Sequence, residues 1–188
     1  MAILKVAHMG HPVLRAKALP VPLDRIVTPG VQQLIDDLFE TMAEYSGIGL
    51  AAPQVHAGLR LFVAGLRPPD ENTSLQSDEM PYVVLINPEI TPVADSVVEG
   101  WEGCLSIPDI RGLVPRAEAI RVSAYDRHGK RIMLEASGLP ARVIQHEADH
   151  LDGVLFVDRM TSFESLTYMD EFRRFHAKDD DDEEETDE

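Results

Sequence analysis

The sequence of 188 residues holds one cysteine and one tryptophan, and aromatics make up only 6% of it. A single cysteine excludes an internal disulfide and fits a reducing compartment, so the lone thiol stands out as a group in need of a role. No apolar run approaches 18 residues, which excludes a membrane-spanning helix. The opening Met1-Ala-Ile-Leu-Lys5 has neither the apolar core of a signal peptide nor the Arg/Ser-rich character of a transit segment, so a cytoplasmic location is expected. Basic residues are scarce: 17 Lys and Arg face 33 Asp and Glu, for a formal charge of -16. Nine of the acids fall in the last ten residues, Asp179 to Glu188, and the rest of the chain is still acidic at about -7. Both regions oppose direct nucleic-acid binding as the main activity.

What is present suffices for a core. Apolar residues make up 44% of a chain whose length suits one domain. No internal repeat is visible. The expected division is one folded domain over residues 1–178 and an acidic, disordered tail over 179–188.

Periodicity places the elements. Thr28-Pro29 reads as an N-cap and first helical residue, and Val31, Leu34, Ile35, Leu38, Phe39 and Met42 follow at helical spacing until Gly47. Leu59 to Ala64 and Tyr82 to Ile86 read as strands, the second stopped by Asn87-Pro88, with an exposed loop from Arg67 to Pro81 between them. Ile120 to Tyr125 and Arg131 to Glu135 read as strands joined by a turn at Asp126 to Gly129. A second helix is predicted over Gly138 to Leu151, with Gly153 just past its end, and a third over about Ser162 to Ala177. Short strands with few helices, in no regular alternation, predict an α+β fold with antiparallel pairing.

The second helix carries His146-Glu147-Ala148-Asp149-His150. Histidines at i and i+4 lie one turn apart on one face, so both imidazoles can reach one divalent ion, and Glu147 can approach a water on that ion. Two neutral nitrogens hold the cation while the carboxylate accepts a proton from the water. A catalytic site of this kind takes three protein ligands. Downstream, Asp152, Asp158, Glu164, Asp170, Glu171 and His176 are candidates for the third. Upstream, Cys104 in Glu102-Gly103-Cys104-Leu105-Ser106 is the better one, because Gly103 lets backbone approach closely. A thiolate with two imidazoles suits Fe(II), Zn(II), Co(II) or Ni(II), not Mg or Ca.

These segments, with Gly47-Ile-Gly-Leu-Ala-Ala-Pro-Gln54 and Gln145-His-Glu-Ala-Asp-His-Leu151, resemble the peptide deformylases in content and in order. Gly10-His-Pro-Val-Leu-Arg15, Asn87-Pro88 and Asp152-Gly153 extend the likeness over residues 3–160. The resemblance implies a compact single α+β domain with antiparallel strands around a central metal-binding helix, and a C-terminal helix. It implies hydrolysis of the N-formyl group from the initiator formyl-methionine of nascent polypeptides, releasing formate. By position, Cys104, His146 and His150 would bind one divalent ion per chain, Fe(II) by family habit. Glu147 would be the general acid/base, and Gln54 with the Leu105 backbone N–H would stabilise the oxyanion. The backbone of Ile48, Gly49 and Gly103 would hold the peptide, and Ile48, Leu139, Val143 and the stem of Arg142 would line the methionine pocket. Some deformylases dock on the ribosome through a basic C-terminal helix. Transient ribosome association is therefore an expectation here, although nine acids follow the small basic patch of Arg173, Arg174 and Lys178.

Overall fold

A computed structural model describes residues 2–66 and 80–177. The acidic tail, and the Arg67 to Pro81 loop as far as residue 79, lie outside the described residues. In chain order the elements are α1 (Leu23–Ile26), α2 (Pro29–Glu44), β1 (Gly49–Ala51), β2 (Leu61–Ala64), β3 (Val83–Pro92), β4 (Val97–Cys104) and β5 (Ile107–Ala117). Then come β6 (Ala119–Tyr125), β7 (Arg131–Ser137), α3 (Gly138–Leu151), α4 (Phe156–Arg159), β8 (Thr167–Tyr168) and α5 (Met169–Phe175). The strands form two antiparallel sheets, β1-β2-β3-β6-β7 and β4-β5-β8.

The two-residue period of a strand explains the layering. On β2, Phe62 and Ala64 face α3 and pack with Ala141, Ile144 and Leu151, while Leu61 and Val63 face α2 and pack with Ile35, Leu38 and Met42. The five-stranded sheet is thus covered by a helix on each side. On β6 only Ile120, Val122 and Ala124 are buried, the alternation of a strand with one covered face. α3 lies inside the molecule, between the first sheet and the β4–β5 hairpin, so one flank can be apolar and the other chemical.

Two sequence expectations are corrected, and one ladder is new. Asn87-Pro88 does not stop β3. The strand bulges between Ile86 and Glu89, with Asn87 at φ 51°, and this irregularity absorbs a proline that has no N–H to give. The Asn87 side chain then pairs with Val21 as a strand would, accepting from its N–H at 2.8 Å and donating to its carbonyl at 2.8 Å. The third predicted helix is broken. Ser162 caps a short 3-10 turn at Phe163–Ser165, and β8 pairs Tyr168 with Ile110 and Thr167 with Arg111, leaving seven residues to α5. A free sheet edge offered more hydrogen bonds than the helical apolar spacing could reward. Finally, the long β4–β5 ladder from Val97↔Ala117 to Gly103↔Arg111 has no counterpart in the sequence reading. Glycines and prolines at 100, 103, 112 and 115 hide its period.

Candidate metal centre

α3 begins directly from β7. Gly138 takes φ 60°, a left-handed value that lets the chain turn into the helix without a loop, and its N–H reaches Glu118 O at 3.0 Å. One flank of α3 then packs in the core; the buried His146 and His150 face β4, and the buried Glu147 lies toward Gly49 of β1. Cys104 ends β4 at a register shift. Its Sγ lies 3.3 Å from His150 Nε2 and accepts from the Ser106 N–H at 3.4 Å. One atom each from Cys104, His146 and His150 lie within 4.8 Å of one another. Two of the downstream carboxylates are engaged elsewhere: Asp152 pairs with Arg60 at 2.7 Å, and Asp158 with Arg15.

The donor set fits a divalent transition ion. Tetrahedral bonds of about 2.3 Å to sulfur and about 2.1 Å to nitrogen put those two atoms about 3.6 Å apart, close to the separation seen here. Burial works against a charged Cys104, but the His150 and His146 imidazoles beside it outweigh that and hold its pKa well below the ordinary thiol value. That shift favours the thiolate form a metal takes. His146 hydrogen-bonds through Nδ1 to Glu102 Oε2 at 2.8 Å, leaving Nε2 to face the centre. The two imidazoles stand edge to face with centroids 5.1 Å apart.

Gln54 sits in the 3-10 turn Ala52–Val55 and is 1% exposed. Its Oε1 accepts from the Ala51 N–H at 2.7 Å, which fixes the amide. Nε2 then points at Ser106 Oγ (3.2 Å) and Cys104 Sγ (3.6 Å), so a donor is aimed into the centre before any substrate arrives. Glu147 lies over Gly49, where an added Cβ would come within 2.4 Å of Oε1 and 2.7 Å of Cδ. Its Oε2 is buried without a hydrogen-bond partner. Burial raises the Glu147 pKa to about 7, against the opposing pull of His146 and His150. A carboxyl balanced near neutrality can both take and return a proton.

Residues 3–165 match the family described as Polypeptide deformylase. The chain belongs to the peptide deformylase family. Its members are hydrolases that remove the N-formyl group from nascent polypeptides. Peptide deformylase 1 of Bordetella pertussis is 47% identical over 169 residues, covering 90% of this chain and 92% of that one. Peptide deformylase 2 of Nostoc sp. is 43% identical over 176 residues, covering 94% and 96%. Among solved structures, the Met-Ala-Ser complex of the class I type b peptide deformylase of Acinetobacter baumannii superposes with a TM-score of 0.77 at 40% identity, covering 85% of this chain and 99% of that one.

The structure brings Gln54, Cys104, His146, Glu147 and His150 to one centre. Leu105 follows Cys104, with its side chain against Gly47, where an added Cβ would come within 2.9 Å. Ile48 and Leu139 are exposed at the surface, and Val143 is buried. Gly49 and Gly103 stand on β1 and β4, each an edge strand of its sheet. The Arg142 guanidinium reaches β4, donating to Glu102 Oε1 and to the Val98 carbonyl. Trp101 packs on Phe172 and His176 of the C-terminal segment.

Sequence reasoning gave no role to Glu102 or Arg116. Glu102 accepts from Arg116 Nε and Nη2 at 2.9 and 3.0 Å as well as from His146, and Arg116 Nη1 reaches Asp149 at 2.6 Å. Burial would raise the Glu102 pKa, but these hydrogen bonds lower it to about 2. Glu102 could have been suspected from its place two residues before the thiol. Arg116 had no such signal, because only the hairpin register brings it near.

Proposed function

We propose that this chain deformylates formyl-methionyl nascent polypeptides at a divalent ion held by Cys104, His146 and His150. The observation that carries the reading is the convergence of the Cys104 sulfur from β4 with two imidazoles and a buried carboxyl, one oxygen of it unpartnered, from α3. When bound, the ion supplies an acidified water and polarises the formyl carbonyl. Glu147 takes the proton of that water and later returns it to the leaving amine, so formate and a free α-amino group result. Negative charge on the formyl oxygen is met by the Gln54 amide and the Leu105 N–H.

The peptide enters as an added strand between the edges of β1 and β4, through the backbone of Ile48, Gly49 and Gly103. Ile48, Leu139, Val143 and the stem of Arg142 receive the methionine side chain. A Met-Ala-Ser peptide bound to the Acinetobacter baumannii relative supports a substrate of this kind. Fe(II) is the resident metal of this proposal, with Zn(II), Ni(II) and Co(II) as substitutes the same donors accept. The reaction places the protein in the cytoplasm, in passing contact with the ribosome, where new chains emerge. Arg173 and Arg174 on α5 supply basic charge toward that contact, and the acidic tail of residues 179–188 opposes it.

The test is metal analysis of protein purified without oxygen, paired with formate release from a formyl-Met tripeptide. One equivalent of iron and steady turnover are expected, with both lost in Cys104→Ser. Full retention of metal and turnover in that variant refutes the ligand set.

A further inference from the structure

Arg142 and His146 sit four residues apart on α3, one turn of helix, and both bind the same carboxylate. Arg142 Nη1 donates to Glu102 Oε1 at 2.9 Å, and His146 holds Glu102 Oε2. The remaining Arg142 contacts are backbone carbonyls of the β4–β5 hairpin: Gly100 at 3.3 Å, Val114 at 2.8 Å and Val98 at 2.7 Å. The approach requires a glycine on β4, since a Cβ at Gly100 would lie 2.8 Å from Arg142 Cζ and Nη2. With Arg116 taking one bond to each oxygen, Glu102 accepts four donors and is 5% exposed, so it has no freedom to turn.

The elements joined in this way are the ones that carry the metal donors. Cys104 belongs to β4, two residues beyond Glu102, and the two imidazoles belong to α3. Resting on the ligand set proposed above, we infer that the Arg142 guanidinium is a positioning group. It clamps α3 onto the β4–β5 hairpin through Glu102 and the carbonyls of Val98, Gly100 and Val114, and so sets the spacing between the sulfur and the imidazoles. The methylene stem is free to line the methionine pocket while the charged head does this separate task. The ion pair is buried, so its value lies less in net stability than in holding one geometry.

The experiment uses the full chain loaded with Co(II), comparing wild type, Arg142→Met, Arg142→Lys and Gly100→Ala. Arg142→Met keeps an apolar stem of similar length and removes only the clamp. Gly100→Ala leaves every charge in place and pushes the guanidinium off its seat, so it stands as a second readout should the methionine variant fold poorly. For both variants the cobalt ligand-field bands should shift. Release of the ion to a chelator should quicken about 10- to 100-fold, the range typical for loss of an outer partner of a ligand. The kcat on a formyl-Met tripeptide should fall while KM stays within about two-fold, the split expected when reacting groups are misplaced and substrate binding is intact. Arg142→Lys should restore part of the loss. Wild-type bands and release rate in both variants, with the change confined to KM, overturn the clamp and make Arg142 a pocket residue only. A wild-type protein with no sulfur-to-cobalt band refutes the ligand set itself, an outcome separable from failure of the clamp alone.

Discussion

Gly49→Ala tests the placement of Glu147 without touching a metal donor. The new methyl would lie 2.4 Å from Glu147 Oε1 and 2.7 Å from Cγ and Cδ. Ordinary contact begins near 3.4 Å, so the carboxyl must retreat by about 1 Å. It has little room, being 4% exposed on a helix wedged between the first sheet and the hairpin. A displacement of that size at a reacting group costs on the order of 100-fold in rate, or about 2.7 kcal/mol of barrier. The prediction is a kcat for formate release near 1% of wild type at unchanged metal content. KM should move little, because the added methyl points at Glu147 and not along the β1 edge. Two results would refute the reasoning. Undiminished kcat would mean that Glu147 does not work from the position seen here. Loss of the metal would mean that Gly49 serves the fold of the centre and not the carboxyl.

Two further outcomes can be measured on the same protein. Gln54→Ala removes a donor aimed at the developing oxyanion, so kcat should fall about 100- to 1000-fold with the metal retained; it also strands the buried Ala51 N–H, so the melting temperature should drop, and an unchanged kcat would remove Gln54 from the mechanism. In the metal-free protein, Glu102 has a folded pKa of about 2 against an ordinary 4.5, so its stabilising charge is fully present above pH 4.5 and is lost as pH falls toward 2. That window should carry about 3 kcal/mol of acid destabilisation in urea titrations, and Glu102→Gln should flatten it; an equally steep fall in the variant would assign the loss to other carboxyls.

The candidate metal ligands were legible because they depend on local spacing, whereas Gln54 and Leu105 entered only through the family resemblance. Histidines four apart on a helix must share a face in any fold, and a glycine beside a lone cysteine marks a tight approach of backbone. The same holds for α3, whose bounds from Gly138 to Leu151 follow from apolar period and terminal glycines. Where a segment's fate depended on a partner strand, the chain alone misled. The residues from Ser162 onward have helical apolar spacing, yet the open edge of β5 drew two of them into β8.

Sequence by itself determined which side chains could do chemistry here, since residue type and short-range spacing fix what a group can donate, accept or ligate. Only the tertiary structure decided how those groups are held. Glu102, Arg116, Arg142 and Asp149 meet through the register of the β4–β5 hairpin and the seating of α3 against it. No short-range pattern encodes that meeting, because it depends on which distant segments pack together and in what alignment.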